Sequence, residues 1–206
     1  MRTYRFGRVR TVDEGGRNRR ASRPPSCAEP PDQGRLAIPL ETVRLLLRPW
    51  HVSDAVAHRE MWVDRDPRVP AHRRIDAEGR PTVEDLEDRI RDTPPPGSLG
   101  LLVVERKGTG DVLGYCGLIA SPIVPEGEPE VAYELLRRAR GQGYATEAAR
   151  AVLGWARATG HRRVWATVRA WNDASLRVLA KLGFETTDRV ERDAVHGDSL
   201  FLTKQL

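Results

Sequence analysis

Residues 130–147, EVAYELLRRARGQGYATE, constrain this chain more than any other stretch. Residues 130–136 form a short apolar run suited to a strand. Residues 145–159 repeat at helical spacing, with Ala148, Val152, Trp155 and Ala156 on one face and Glu147, Arg150 and Arg157 off it. Only a loop of arginine and glycine separates the two. The first amides of a helix have no partner within it, and the helix dipole adds positive potential there. Glycine lets the backbone approach a ligand closely. Arg138-Ala139-Arg140-Gly141-Gln142-Gly143 is therefore expected to cradle a diphosphate, with Arg138 and Arg140 adding charge-assisted contacts. The glycines alone also fit a tight strand-to-helix turn that holds no ligand. Other phosphate motifs fit worse: no Gly-Lys-Ser/Thr occurs, and Thr146 stands where a dinucleotide fingerprint needs glycine or alanine.

The rest of the chain supplies the frame. Residues 42–48 (TVRLLLR), ended by Pro49, suit a strand. Ser53-Asp54 reads as the cap of a helix running to about Trp62. Residues 63–81, with Pro67, Pro70, Gly79 and Pro81, read as loop. Thr82 is an N-cap candidate with Asp85 three residues on; Val83, Leu86 and Ile90 share a face, and Pro94-Pro95-Pro96-Gly97 stops the helix. Residues 99–105 and 112–120 read as strands joined by a hairpin turn at 107–111. A strand over 164–168, a helix over 172–182 closed by Gly183, and a hairpin of 184–190 with 200–206 complete a mixed α/β order.

Charge divides the chain of 206 residues. Residues 1–35 hold nine arginines and four acidic residues, so the whole net charge of +5 sits there; the remainder is balanced. Residues 1–38, rich in Arg, Gly and Pro and poor in large apolar side chains, are expected to be a disordered tail before a domain over 39–206. Contact with nucleic acid is expected only through that tail. No apolar run approaches the roughly 18–20 residues that span a bilayer, so no membrane association is expected. Cys27 and Cys116 give neither a disulfide framework nor a zinc spacing, which points to a reducing cytoplasm and no metal. The five histidines, including His58 and His72, lie at unrelated spacings, and the five tryptophans are assigned mostly to the core.

Several blocks resemble the GNAT acetyltransferase superfamily, in its RimJ/RimL-like branch. Arg138-x-x-Gly141-x-Gly143 is similar to the superfamily's loop. Glu130-Val131-Ala132-Tyr133 before it and Tyr144-Ala145-Thr146-Glu147-Ala148 after it look like the branch. So do Arg44–Trp50 with Ser53-Asp54, and Asn172-x-x-Ser175 followed by Lys181-Leu182-Gly183-Phe184. The blocks occur in the expected order and span about residues 41–206. The resemblance implies a mostly antiparallel central sheet with splayed central strands, flanked by helices. It implies acetyl-CoA as co-substrate: its diphosphate on the amides from Arg138 to Ala145 (Ala139, Arg140, Gly141, Gln142, Gly143 and Tyr144 included), its pantetheine arm along Leu135 and Leu136, and the side chain of Asn172 bonded to that arm. Asn172 also suits a helix N-cap.

Acetyl transfer to a primary amine needs the amine neutral, and a general base raises that fraction. Glu130 aligns with the acidic residue used as base in some superfamily members; Glu134, four residues on along the same strand face, is the second candidate. Many members carry a tyrosine four residues before the Gly-Phe pair, where this chain has Leu179; Ser175 can donate to the departing thiolate instead. The expected acceptor is a small-molecule amine or an N-terminal peptide, walled by residues 50–97 and 120–129, and a homodimer would accord with relatives. A non-catalytic acyl-CoA-binding regulatory module is the competing class.

Overall fold

The computed structural model describes residues 38–206. The expectations for the tail before residue 38, Cys27 included, lie outside the described residues. The strands are β1 (Leu40–Glu41), β2 (Leu45–Arg48), β3 (Gly100–Arg106), β4 (Val112–Ile119), β5 (Glu130–Leu135), β6 (Arg163–Arg169), β7 (Glu185–Glu191) and β8 (Ser199–Gln205). The helices are α1 (Ala55–Val63), α2 (Val83–Asp92), α3 (Tyr144–Ala158) and α4 (Asp173–Lys181). The strands make one sheet in the order β1-β2-β3-β4-β5-β6-β8-β7. Every neighbouring pair is antiparallel except β5 and β6, which are parallel. This is the mixed, mostly antiparallel architecture expected.

Strand alternation sorts the side chains onto two faces. Leu45, Leu47, Leu102, Cys116, Leu118 and Val131 form one apolar face, closed by Ala148, Val152, Trp155 and Ala156 of α3. The helix face read from the sequence is therefore the buried one. Tyr115 and Glu134, paired across β4 and β5, lie on the other face, where the α1 region covers them: Trp50 lies 6.3 Å from Tyr115, and Arg65 bonds Glu134. Trp155 alone among the five tryptophans is fully buried, at 4% exposure; the other four are amphipathic residues at the edge of the core.

Two local readings change. The strand expected from residue 42 begins at Leu45, because Thr42 and Arg44 turn away from the sheet to bond the carboxylate of Glu147. Asp54 does not cap α1 with its side chain. Its buried carboxylate accepts instead from both terminal nitrogens of the Arg48 guanidinium and from the His51 amide. Thr82 does cap α2, in a reciprocal box with Asp85.

Glycine serves opposite ends at two positions. Gly114 in β4 has φ 151°, and a Cβ there would fall 2.1 Å from the Glu134 carbonyl oxygen. Gly154 sits exposed in α3, with open space where a Cβ would go. The same substitution should thus have opposite signs: Gly114→Ala lowers stability by at least about 2 kcal/mol, and Gly154→Ala raises it by about 0.5–1 kcal/mol. Denaturant midpoints of the two variants check this.

Candidate active site

The sheet comes apart at its centre. β5 and β6 are in register at one position only, Glu130 opposite Trp165, where the Trp165 amide donates to the Pro129 carbonyl at 2.9 Å. Beyond it the strands diverge. Which groups this leaves free follows from the pairing on the other side of β5. The Leu136 amide bonds the Leu113 carbonyl, so pairing with β4 uses the backbone groups of alternate residues, Glu134, Ala132 and Glu130. The N–H and C=O groups of Tyr133 and the N–H of Leu135 face the gap. The Leu135 carbonyl accepts from the Arg140 side chain at 3.0 Å. Leu136, expected on this edge, is not part of it: its amide goes to Leu113 and its carbonyl takes the Ala139 amide. The free edge falls at Tyr133 and Leu135.

Glu130 stands at the root of the gap. It is 9% exposed, and its Oε1 accepts from the Thr167 amide of β6 at 2.9 Å. The carboxylate thus satisfies the first β6 donor that the parted strand no longer reaches. Its Oε2 has no partner among the described residues and is not sealed from solvent. The neighbouring Thr167 hydroxyl is sealed and has no partner among the described residues. Glu134, the second candidate, is held differently. Arg65 grips it from two nitrogens at 2.8–2.9 Å, and the Tyr115 hydroxyl donates to it at 3.0 Å.

The loop after β5 makes one 3-10 turn, Arg137–Ala139, and enters α3 through Gly141 (φ 77°) and Gly143 (φ 82°). Gly143 is the N-cap and supplies no side-chain acceptor, so the first α3 amides, Tyr144 and Ala145, stay open. The Gly141, Gln142 and Gly143 amides likewise lack an acceptor among the described residues. Two expected amides drop out: Ala139 donates to Leu136 and Arg140 to Arg137, closing the 3-10 turn. The guanidinium of Arg138, expected to meet phosphate, is ion-paired with Glu60 of α1, and that of Arg140 turns back to Leu135. The open cradle is Gly141 to Ala145. Across the gap, Asn172 caps α4 by accepting the Ser175 amide at 3.1 Å, which leaves its side-chain amide nitrogen free. The Tyr133 hydroxyl donates to the Ser175 carbonyl at 3.3 Å, and burial pushes this phenol up to about 12. Leu179 is core, 2% exposed.

A family model described as an acetyltransferase (GNAT) domain matches residues 44–185. This chain belongs to the GNAT acetyltransferase family. Among curated relatives it is 35% identical over 97 residues to an uncharacterized protein, YkkB, of Bacillus subtilis (strain 168), covering 46% of this chain and 55% of that protein, so it spans about half of that relative. It is 29% identical over 149 residues to an uncharacterized N-acetyltransferase, p20, of Bacillus licheniformis, covering 71% of this chain and 82% of p20. Among solved structures, a GNAT-family acetyltransferase from Bacillus anthracis superposes with a TM-score of 0.67 at 22% identity, covering 82% of this chain and 98% of that one. YncA, a putative acetyltransferase from Salmonella typhimurium solved with its cofactor acetyl-CoA, gives 0.56 at 21% identity, covering 79% and 94%.

In this GNAT domain one carboxylate fixes the entry to the loop. Glu147, in the first turn of α3, accepts from the Thr42 hydroxyl (2.6 Å), the Arg44 amide (2.9 Å) and the Arg44 guanidinium (2.7 Å). Arg44 also donates to the Gln142 carbonyl and lies 4.5 Å from the Tyr144 ring centre. Beside this clamp opens a cleft of about 680 Å³, bordered by Gly143, Thr146, Arg150 and Lys181. Sequence reasoning missed Tyr133 as an edge residue, and Thr167 and Arg65 altogether. No local signal marks them, because each gains its place from a partner distant in sequence.

His58 of α1 packs on Trp50 with ring centres 4.7 Å apart, and its buried Nδ1 has no partner among the described residues. Burial, reinforced by the charges of Arg65 and Arg89 against the opposing Glu134, lowers its pKa from 6.5 to about 4. His72 is exposed. As pH falls below 6.5 the unfolded chain binds a proton at this histidine that the folded protein refuses until about 4, so stability falls through that window. The loss should reach about 3 kcal/mol, and His58→Gln should flatten the melting temperature between pH 6.5 and 4; an unchanged slope in that variant excludes His58 as the cause.

Proposed function

We propose that this chain transfers an acetyl group from acetyl-CoA to a primary amine. The free edge of β5, set between the open amides of the loop and a half-free carboxylate at the root of the gap, is the observation that carries this reading. Acetyl-CoA would supply the acetyl group as an activated thioester. The Gly141–Ala145 amides fit its diphosphate, the backbone groups of Tyr133 and Leu135 fit the amides of its pantetheine arm, and the free Asn172 nitrogen can bond the same arm from the α4 side. The solved acetyl-CoA complex of YncA supports the choice of donor.

The two faces of β5 divide the labour. Glu130 lies on the face toward α1, and Tyr133 and Ser175 lie toward α4. Glu130 suits the base, because Oε2 is free to take the amine proton, directly or through one water, while Oε1 stays anchored to Thr167. Glu134 is the weaker candidate, since Arg65 and Tyr115 occupy its oxygens. Holding amine and acyl carbon in line across the gap supplies the remainder of the rate. The Ser175 hydroxyl can steady the departing thiolate. The blocks shared with the RimJ/RimL-like branch favour an N-terminal amine over other acceptors.

Glu130→Gln keeps an oxygen for the Thr167 amide and removes the proton acceptor. It should lower kcat about 100-fold on any amine that releases free thiol, with the KM for acetyl-CoA within about twofold of the unaltered protein. An unchanged kcat excludes Glu130 as base. Stabilisation by acetyl-CoA without acetylation of any amine, across amino acids, polyamines, aminoglycosides and N-terminal peptides, would favour a binding module instead.

A further inference from the structure

A second concavity lies on the α1 side of the sheet, apart from the glycine-rich loop. It is a cleft of about 310 Å³ between the C-terminal half of α1 and the following loop, lined by Arg59, Arg65 and Arg74 among the apolar surfaces of Trp62, Val63 and Ile75. Among the described residues no acidic side chain lines it. Arg65 is already matched by Glu134 and lies 4.0 Å over the Trp62 ring. Arg59 and Arg74 are not matched. They donate to the Gly79 and Pro67 carbonyls at 3.1 and 3.0 Å, and among the described residues neither is ion-paired with a carboxylate. A guanidinium carries five donors, so each keeps most of its capacity and all of its charge.

We propose that this cleft binds a carboxylate carried by the amine acceptor, a reading that rests on the acetyl transfer proposed above. Charge and shape define the ligand. Two unmatched guanidiniums beside an aromatic floor suit a planar anion on an apolar stem. A volume of about 310 Å³ is at the low end for a whole small-molecule site, so the cleft takes one side-chain-sized group of a longer molecule. Position sets the spacing. Arg65 forms the wall toward β5, and its partner Glu134 lies between Tyr133 and Leu135, whose backbone groups face the gap. An acceptor using both places spans the Arg65–Glu134 pair, so its amine and carboxylate are not vicinal. This excludes free α-amino acids. It fits an ω-amino acid, or a peptide with an acidic side chain beyond its N-terminal residue.

Matched probes test it: ε-aminocaproate against its amide, and short peptides with Asp against Asn at the residue after the first. The carboxylate member of the favoured pair should be used about tenfold better, and which pair responds identifies the source of the anion. Arg59→Gln and Arg74→Gln should remove that preference through KM, with melting temperature and acetyl-CoA affinity retained. Equal use of carboxylate and amide by the unaltered protein, in both pairs, overturns the proposal. If no amine is acetylated, the transfer reading falls, and calorimetric titration of the same probes decides the cleft separately. Carboxylate binding lost in the arginine variants sustains it, and equal or absent heats in all proteins overturn it.

Discussion

Everything at this site depends on one broken pairing. A parallel strand pair ordinarily continues for several residues, because each unpaired N–H or C=O left in a protein interior costs about 1–3 kcal/mol. Here β5 and β6 pair at Glu130 and Trp165 and then separate. The parting persists because its costs are met locally. The Glu130 carboxylate takes the Thr167 amide, and the β6 backbone is fully engaged by β8 on its far side over seven residue pairs. What remains is a short edge at Tyr133 and Leu135 in the middle of a sheet rather than at its border. Backbone groups there are rigid, directional and poorly solvated, which is what an extended amide-bearing ligand requires.

Three long-range contacts hold the pieces around that edge. Glu147 ties the start of α3 to the turn before β2, so the open amides of the loop are fixed against the sheet. Arg65 ties the end of α1 to β5 through Glu134, with side-chain exposures of 9% and 14%. At that depth the pair is screened far less than the exposed ion pairs elsewhere on the surface, and removing one partner would strand the other's charge. The Tyr133 hydroxyl ties β5 to α4 across the gap. The helices therefore cannot drift independently of the edge they flank.

The difference between what was legible in the sequence and what was not follows from range. The loop at 138–145 was legible because glycine geometry and helix-end amides are local properties. Yet the 3-10 turn that consumes the Ala139 and Arg140 amides was not, since it depends on the Leu136 carbonyl being placed to accept. Leu136 falls outside the free edge for a related reason. Parity along β5 is set by register with β4, and a change of one residue exchanges the bonded and free sets. Asp54 carries a cap signature, but the two-pronged hold of Arg48, reaching the start of α1 from β2, outcompetes it. Leu179, at the position where the resemblance leads one to expect a tyrosine, is buried in the core.

Electrostatics illustrates the same limit at larger scale. Charge outside residues 1–35 sums to zero, which from the sequence alone says nothing about substrate. Folding redistributes that sum. Asp64, Glu60 and Glu134 are drawn to Arg137, Arg138 and Arg65 at the junction of α1 with β5 and the loop. The carboxylates nearest α1 are thereby spent on holding the sheet and loop in place, and Arg59 and Arg74 are left on the outer wall without counterions. The local positive field is a consequence of how the edge is braced. An anionic ligand at that wall would meet a field already organised by the fold, with little reorganisation needed on binding.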